Sequence, residues 1–225
     1  MTQYGDDSPE ILISVDVETS GPNPSQYSLL SIGACLVSDP EQAFYVEIQP
    51  QNGNSLKEAL TVSGLLLEEL AQRGVHPAEA MARFESWLAE VVPEGHHPVF
   101  VAFNAPFDWM FVNDYFHRYL GHNPFGHAAL DLKSFYMALW GTSWAETSMR
   151  HVARRYLEGR MLSHHALQDA RDQAEVCRLM LADAAARCGE ASTQPTLAQD
   201  PEGLCSDRKY DRIARKSVSA DNFDL

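Results

Sequence analysis

The chain has 225 residues, 45% of them apolar and 21% charged, which is the size and composition of one globular domain with or without a tail. Its 31 acids against 17 Lys plus Arg give a formal net charge of −14, which argues against a general charge-driven polynucleotide binder and against an anionic membrane surface as partner. No apolar run approaches the roughly 20 residues of a membrane span, and the polar start, Met1 to Glu10, lacks the pattern of a signal peptide. Four cysteines without CxxC pairing (Cys35, Cys177, Cys188, Cys205) then read as reduced thiols of a cytoplasmic protein.

Ile11 to Val17 is a β-rich run. Leu29 to Val37 and Phe44 to Ile48 follow as two more strands with a turn at Asp39-Pro40-Glu41, and the three suit an antiparallel meander. The period then changes: Met81, Phe84, Leu88 and Val91 recur at helical spacing until Pro93 and Gly95. Pro98 to Phe103 is a short buried-strand run. Pro106 suits the first turn of a helix that runs to about Leu120. Leu132, Phe135 and Leu139 mark another helix, Met149 to Leu157 another, and Ala166 to about Ala186 the last. These elements predict an α/β fold with a mixed sheet. Residues 8–187 read as the domain, 1–7 as an N-terminal extension and 188–225 as a polar, flexible C-terminal tail.

Three polar features stand at the ends of these elements. Asp16 and Glu18 are two apart on the first strand, so both point to one face. Ionised together they repel and call for a cation, and hard oxygen ligands suit Mg²⁺ or Mn²⁺; for an isolated pair, a solvated strand end is the commoner explanation. Asp108 falls in the first turn of the helix after Asn104, where it complements the helix dipole, yet that turn is also the carboxyl end of a strand. Asp169 opens the last helix in the same way, with His164 in the loop before it, a residue able to move a proton near neutral pH. A pair of loop histidines, His164 and His165, is otherwise merely exposed.

Taken together, Asp16-Val17-Glu18-Thr19, Asn104-Ala105-Pro106-Phe107-Asp108 and the His164 to Ala170 segment are in an order that one site can gather. In these residues the chain resembles the DEDDh 3′→5′ exonucleases, a group that includes proofreading exonucleases, ribonuclease T and oligoribonuclease. The resemblance covers roughly residues 10 to 185, and Phe103 departs from it where many relatives carry His. It implies a ribonuclease-H-like mixed sheet flanked by helices and two divalent ions, Mg²⁺ or Mn²⁺, about 3.5–4 Å apart. Asp16, Glu18, Asp108 and Asp169 would hold them, and His164 would be the general base toward the attacking water. The implied substrate is the 3′ end of single-stranded DNA or RNA, or a short oligonucleotide, cleaved to nucleoside 5′-monophosphates by a protein that can form a homodimer.

Thr19, Phe103, Asn104 and Phe107 are placed to contact the terminal nucleotide, with core packing the competing role for Phe107. Arg150, Arg154, Arg155 and Arg160 precede His164 and suit either entering phosphates or a solvated helix face. A second basic run, Arg208 to Lys216, lies in the tail. Two other functions stay open beside the exonuclease: a catalytically silent nucleic-acid-binding module of this fold, and a hydrolase confined to short oligonucleotides. With two dications on four carboxylates the net charge becomes about −10, compatible with a grip on only the last nucleotides of a strand.

Overall fold

The computed structural model describes residues 9–160 and 163–193, with side chains as far as 188. The extension 1–7, the tail beyond 193, Cys205 and the second basic run lie outside the described residues. The chain divides into Met1–Arg187 and Cys188–Leu225, and the sheet and the candidate site both belong to the first unit.

Three strands open the chain: β1 (Glu10–Thr19), β2 (Leu29–Leu36) and β3 (Ala43–Glu47). Three helices follow, α1 (Lys57–Ser63), α2 (Leu67–Arg73) and α3 (Pro77–Val91). Then come β4 (His97–Ala102), α4 (Ala105–Leu120), β5 (Ala129–Asp131) and α5 (Leu132–Trp140). A 3₁₀ turn (Trp144–Thr147), α6 (Met149–Tyr156) and α7 (Ala166–Thr193) complete the described part. The sheet order is β3-β2-β1-β4-β5. β1 to β3 form the antiparallel meander, while β4 pairs parallel with β1 and β5 parallel with β4. The mixed sheet is thus as expected, and α7 runs past Ala186. Among the described residues, no helix is long and apolar enough to cross a membrane.

The alternation along β1 sorts its side chains onto two cores. Ile13, Val15 and Val17 pack with Phe84, Phe111, Tyr115 and Phe116 of α3 and α4. Leu12 faces the other way, onto the core built from Val152, Ala170, Ala174 and Met180 of α6 and α7. Asp16 and Glu18 have the parity of Leu12 and so turn toward α7. β2 is buried along its whole length, as a strand covered on both faces must be. The Tyr115 hydroxyl reaches the sheet and accepts the Leu29 N–H at 2.8 Å, satisfying a buried backbone donor.

Three elements carry little sequence signal. No residue of α1 is buried, Leu70 alone is buried in α2, and β5 is three residues long. A helix with no buried face has no apolar period to read.

Candidate active site

The parallel ladder between β1 and β4 ends at Ser14 opposite Val101, so the last residues of β1 have no β4 partner on that side. Asp108, in the first turn of α4, fills the gap. Its Oδ1 accepts the Val17 N–H at 3.1 Å, and the side chain is buried. The turn between β4 and α4 that makes this possible passes through Asn104 at φ 68°. Asn tolerates that left-handed conformation better than most residues, and such outliers gather at functional turns. Asp131 at the end of β5 steadies the same corner: its Oδ1 accepts from Ala105 N at 3.1 Å and its Oδ2 from Ser134 N at 3.0 Å.

Asp169 arrives from α7. Gly33 of β2 is paired with Asp16 across the sheet, and a Cβ there would fall 2.2 Å from the Ala166 carbonyl carbon and the Leu167 nitrogen. Only a residue without a side chain lets the start of α7 come so close to the strand. Asp169 also organises the loop before its own helix. It accepts from Ser163 N at 2.7 Å, Ser163 Oγ at 2.9 Å and His164 N at 2.9 Å. His164 itself is held at φ 59°, a strained backbone for a residue with a bulky ring, costing about 1–2 kcal/mol. The two histidines separate in role. Both are exposed, but His165 stacks on Tyr45 with ring centroids 4.7 Å apart, whereas His164 lies beside Glu18 and Asp169. Donor atoms of Glu18, His164 and Asp169 lie within 4.8 Å of one another.

Gln173, one turn beyond Asp169, is the residue that sequence reasoning missed. It is buried, donates from Nε2 to Asp16 Oδ1 at 2.6 Å and accepts the Phe103 N–H on Oε1 at 2.9 Å. It therefore ties the first carboxylate to the end of β4. A glutamine inside a helix gives no signal of this in sequence.

The electrostatics follow from burial and crowding. Asp16 is pushed well above the usual carboxylate range by burial, then by Asp108, Glu18 and Asp169, with the Gln173 hydrogen bond opposing. Glu18 is pushed up to about 8 by burial and by Asp169 and Asp108. Asp108 also rises to about 8, by burial and by Asp131, against the Val17 N–H. Among the described residues none of the four carboxylates has an ion-pair partner from Lys or Arg. Buried and half-buried, mutually repelling oxygen donors without a protein cation fit hard divalent ions.

The expected nucleotide contacts are less uniform. Asn104 is exposed beside Asp108. Phe103 is half-buried against the α7-side core, and Phe107 packs on the other core with its ring 5.5 Å from Phe111. Thr19 is buried and its hydroxyl donates to Gly21 O at 2.9 Å. Arg160 leaves the basic cluster, because Asp172 and Glu175 hold it.

The sequence matches the model of the 3′-5′ exoribonuclease Rv2179c-like domain over residues 12–181. A relative from Escherichia coli, the 3′-5′ DNA exonuclease Cap18, is 48% identical over 171 residues, covering 76% of this chain and 91% of its own. Among solved structures, the nuclease domain of 3′hExo, a DEDDh family member bound to rAMP, superposes with a TM-score of 0.64 at 12% identity over 80% of this chain and 95% of that one. E. coli exonuclease I in complex with a dT13 oligonucleotide gives 0.62 at 16% identity over 82% of this chain, which spans 44% of that longer protein. The clustered carboxylates, the neighbouring His164 and these likenesses agree: the chain has the fold of the DEDDh family member 3′hExo and belongs to the 3′-5′ exoribonuclease Rv2179c-like family.

Proposed function

We propose that residues 8–187 form an exonuclease that hydrolyses the terminal phosphodiester of single-stranded DNA or RNA and releases a nucleoside 5′-monophosphate, using two divalent ions, Mg²⁺ or Mn²⁺. The observation that carries this reading is the convergence of Glu18, His164 and Asp169 within 4.8 Å, beside the half-buried Asp16 and the buried Asp108. Asp16, Glu18, Asp108 and Asp169 are the residues that would hold the ions. Bound there, the ions would neutralise the phosphate and stabilise charge on the attacking and leaving oxygens.

The residues supply the rest. His164 is exposed, so a ring nitrogen can reach a water poised over the terminal phosphate and take its proton as the new P–O bond forms. The bond to the 3′ oxygen then breaks, and that oxygen takes a proton from solvent. Asp169 holds His164 from behind through its backbone N–H, which fixes where the imidazole starts. Asn104, Phe103, Phe107 and Thr19 line the approach of the terminal nucleotide, the rings offering stacking surface. Burial of Cys35 and Cys177, with thiols pushed up to about 12 and about 11, suits a reducing, cytoplasmic setting.

DNA is favoured as substrate by Cap18, named a DNA exonuclease, and RNA by the family description. The test is a panel of 3′- and 5′-labelled single strands of DNA and RNA, of several lengths, with Mg²⁺, Mn²⁺ or EDTA. Stepwise metal-dependent release from the 3′ end is expected. Absence of any release sinks the reading, and release only from strands of a few nucleotides replaces it by a short-oligonucleotide hydrolase.

A further inference from the structure

In a chain of net charge −14, the cations of α5 and α6 form a group. Arg73, Arg83, Arg118 and Arg160 each lie against a carboxylate. Among the described residues, Arg150, Arg154 and Arg155 of α6 and Lys133 of α5 have no such partner. Arg150 and Arg154 are four apart on one helix face, as are His151 and Arg155. All four are exposed. Concentrated, unpaired positive charge on an acidic protein is complementary to a polyanion.

The charges border a cavity of about 500 Å³ between α5, the 3₁₀ turn and α6. Arg154, Arg155 and His151 line it together with Tyr136, Trp140 and Glu146. Arg155 is held by an aromatic ring. The Arg155 guanidinium carbon is 3.6 Å from the Trp140 ring centroid and that of Arg187 is 4.1 Å from it. The ring is itself pinned, because Trp140 Nε1 donates to the Tyr156 hydroxyl at 2.9 Å, which donates to Asp183 at 2.7 Å. A guanidinium stacked on a fixed ring keeps its N–H edge free for phosphate oxygens at little further cost in entropy. Lys133 lies over the exposed Trp144 ring in the same manner, 4.3 Å from its centroid. The one acid of the lining, Glu146, is occupied: its Oε2 accepts from Thr142 Oγ1, Ser143 N and Ser143 Oγ.

The place fits a strand. α5 starts at Leu132, next to Asp131, which bonds Ala105 beside Asn104 at the candidate active site. Trp140 is eight residues along that helix, about 12 Å at 1.5 Å per residue, which matches three or four stacked nucleotides at about 3.4 Å each. We propose that the Trp140–Arg154–Arg155 cavity is a second contact for the phosphate backbone of a single-stranded polynucleotide, upstream of the nucleotide being removed. It rests on the exonuclease reading only in that the occupant is the strand whose 3′ end enters the carboxylate site.

The test compares wild type, Arg154→Ala/Arg155→Ala, Arg155→Lys and, as a control for net charge, Arg83→Ala, whose arginine is paired with Glu79. Binding of a labelled single-stranded twelve-nucleotide DNA is measured by anisotropy in EDTA over a salt series, with thermal melts to verify folding. The double variant should bind about tenfold more weakly, and its salt slope should fall by about 1.4, at roughly 0.7 for each phosphate no longer neutralised. Arg155→Lys should keep the slope, and Arg83→Ala should behave as wild type. In Mg²⁺, the preference in kcat/KM for twelve over three nucleotides should collapse in the double variant. No binding by wild type, equal slopes for wild type and double variant, or an equal weakening in Arg83→Ala overturns the proposal. Binding that depends on these arginines without any metal-dependent hydrolysis would instead overturn the exonuclease reading and leave this second binding place standing.

Discussion

Gly33 of β2 and Ala166 at the start of α7 meet with no room for a methyl group between them: a Cβ on Gly33 would sit 2.2 Å from the Ala166 carbonyl carbon. The neighbour is backbone, which cannot swing aside. Gly33→Ala should therefore push α7 off the sheet and carry Asp169 away from Asp16 and Glu18. We expect a loss of about 2–3 kcal/mol or more in stability and a larger proportional loss in metal-dependent turnover. Urea unfolding and rate measurements on one preparation check both, and a variant with wild-type stability and turnover would show that the approach is looser than this.

Gln173 should act on metal binding through Asp16. Gln173→Leu removes the donor to Asp16 and the acceptor for Phe103 N, while Gln173→Glu removes the donor and adds a fifth acid to the site. Both should weaken Mn²⁺ binding about 10–100-fold, the range for partners that orient a ligand. Calorimetric titration with Mn²⁺ reads this directly, and unchanged affinity in both variants would remove Gln173 from the site.

Without metal the site stores repulsion. Asp108→Asn keeps the Val17 N–H satisfied but removes a carboxyl that folding must protonate at neutral pH, so the metal-free variant should melt several degrees above wild type, at about 2–4 °C per kcal/mol for this size. Its metal-dependent turnover should vanish, and Asp16→Ala should likewise abolish turnover in a folded protein. A stable Asp108→Asn that still turns over would refute the assignment of Asp108.

Burial, with that repulsion added, fixes a pH dependence. Glu18 and Asp108 titrate near 8 in the folded protein against ordinary values of 4.5 and 3.8. Between those limits the folded chain keeps protons that the unfolded chain has released, so metal-free stability falls as pH rises from about 4 to 8. Thermal melts in EDTA from pH 5 to pH 8 should show the decline. Added Mg²⁺ should raise the midpoint most at the alkaline end, and a flat profile in EDTA would contradict the burial of these charges.

Tyr115→Phe tests the frame beneath the site. It leaves the buried Leu29 N–H, opposite Thr19 in the sheet, without an acceptor. The expected cost is about 1–3 kcal/mol in urea unfolding, with the Mn²⁺ titration little altered.

Asp16, Glu18, Asp108, His164 and Asp169 were legible in the sequence because each stands at the end of a periodic element, in a spacing that one family shares. The residues that stayed hidden depend on docking. Gly33 reads as any glycine in a strand until α7 lies on it, and Gln173 reads as any polar helix residue until Asp16 faces it. Proximity in sequence also misled about Arg160, which Asp172 and Glu175 draw onto α7 and away from Arg154 and Arg155. α1 and α2 bury too little to leave a period.

The order in which the ligands are synthesised has its own consequence. Asp16 and Glu18 leave the ribosome about 150 residues ahead of Asp169, which rides on a helix that seats only against a completed β2. Domains are made from the N-terminus at about 5–20 residues per second. A nascent or truncated chain lacking α7 thus carries three of the four acids but no assembled nuclease. Hydrolysis of strand ends therefore waits until α7 is seated.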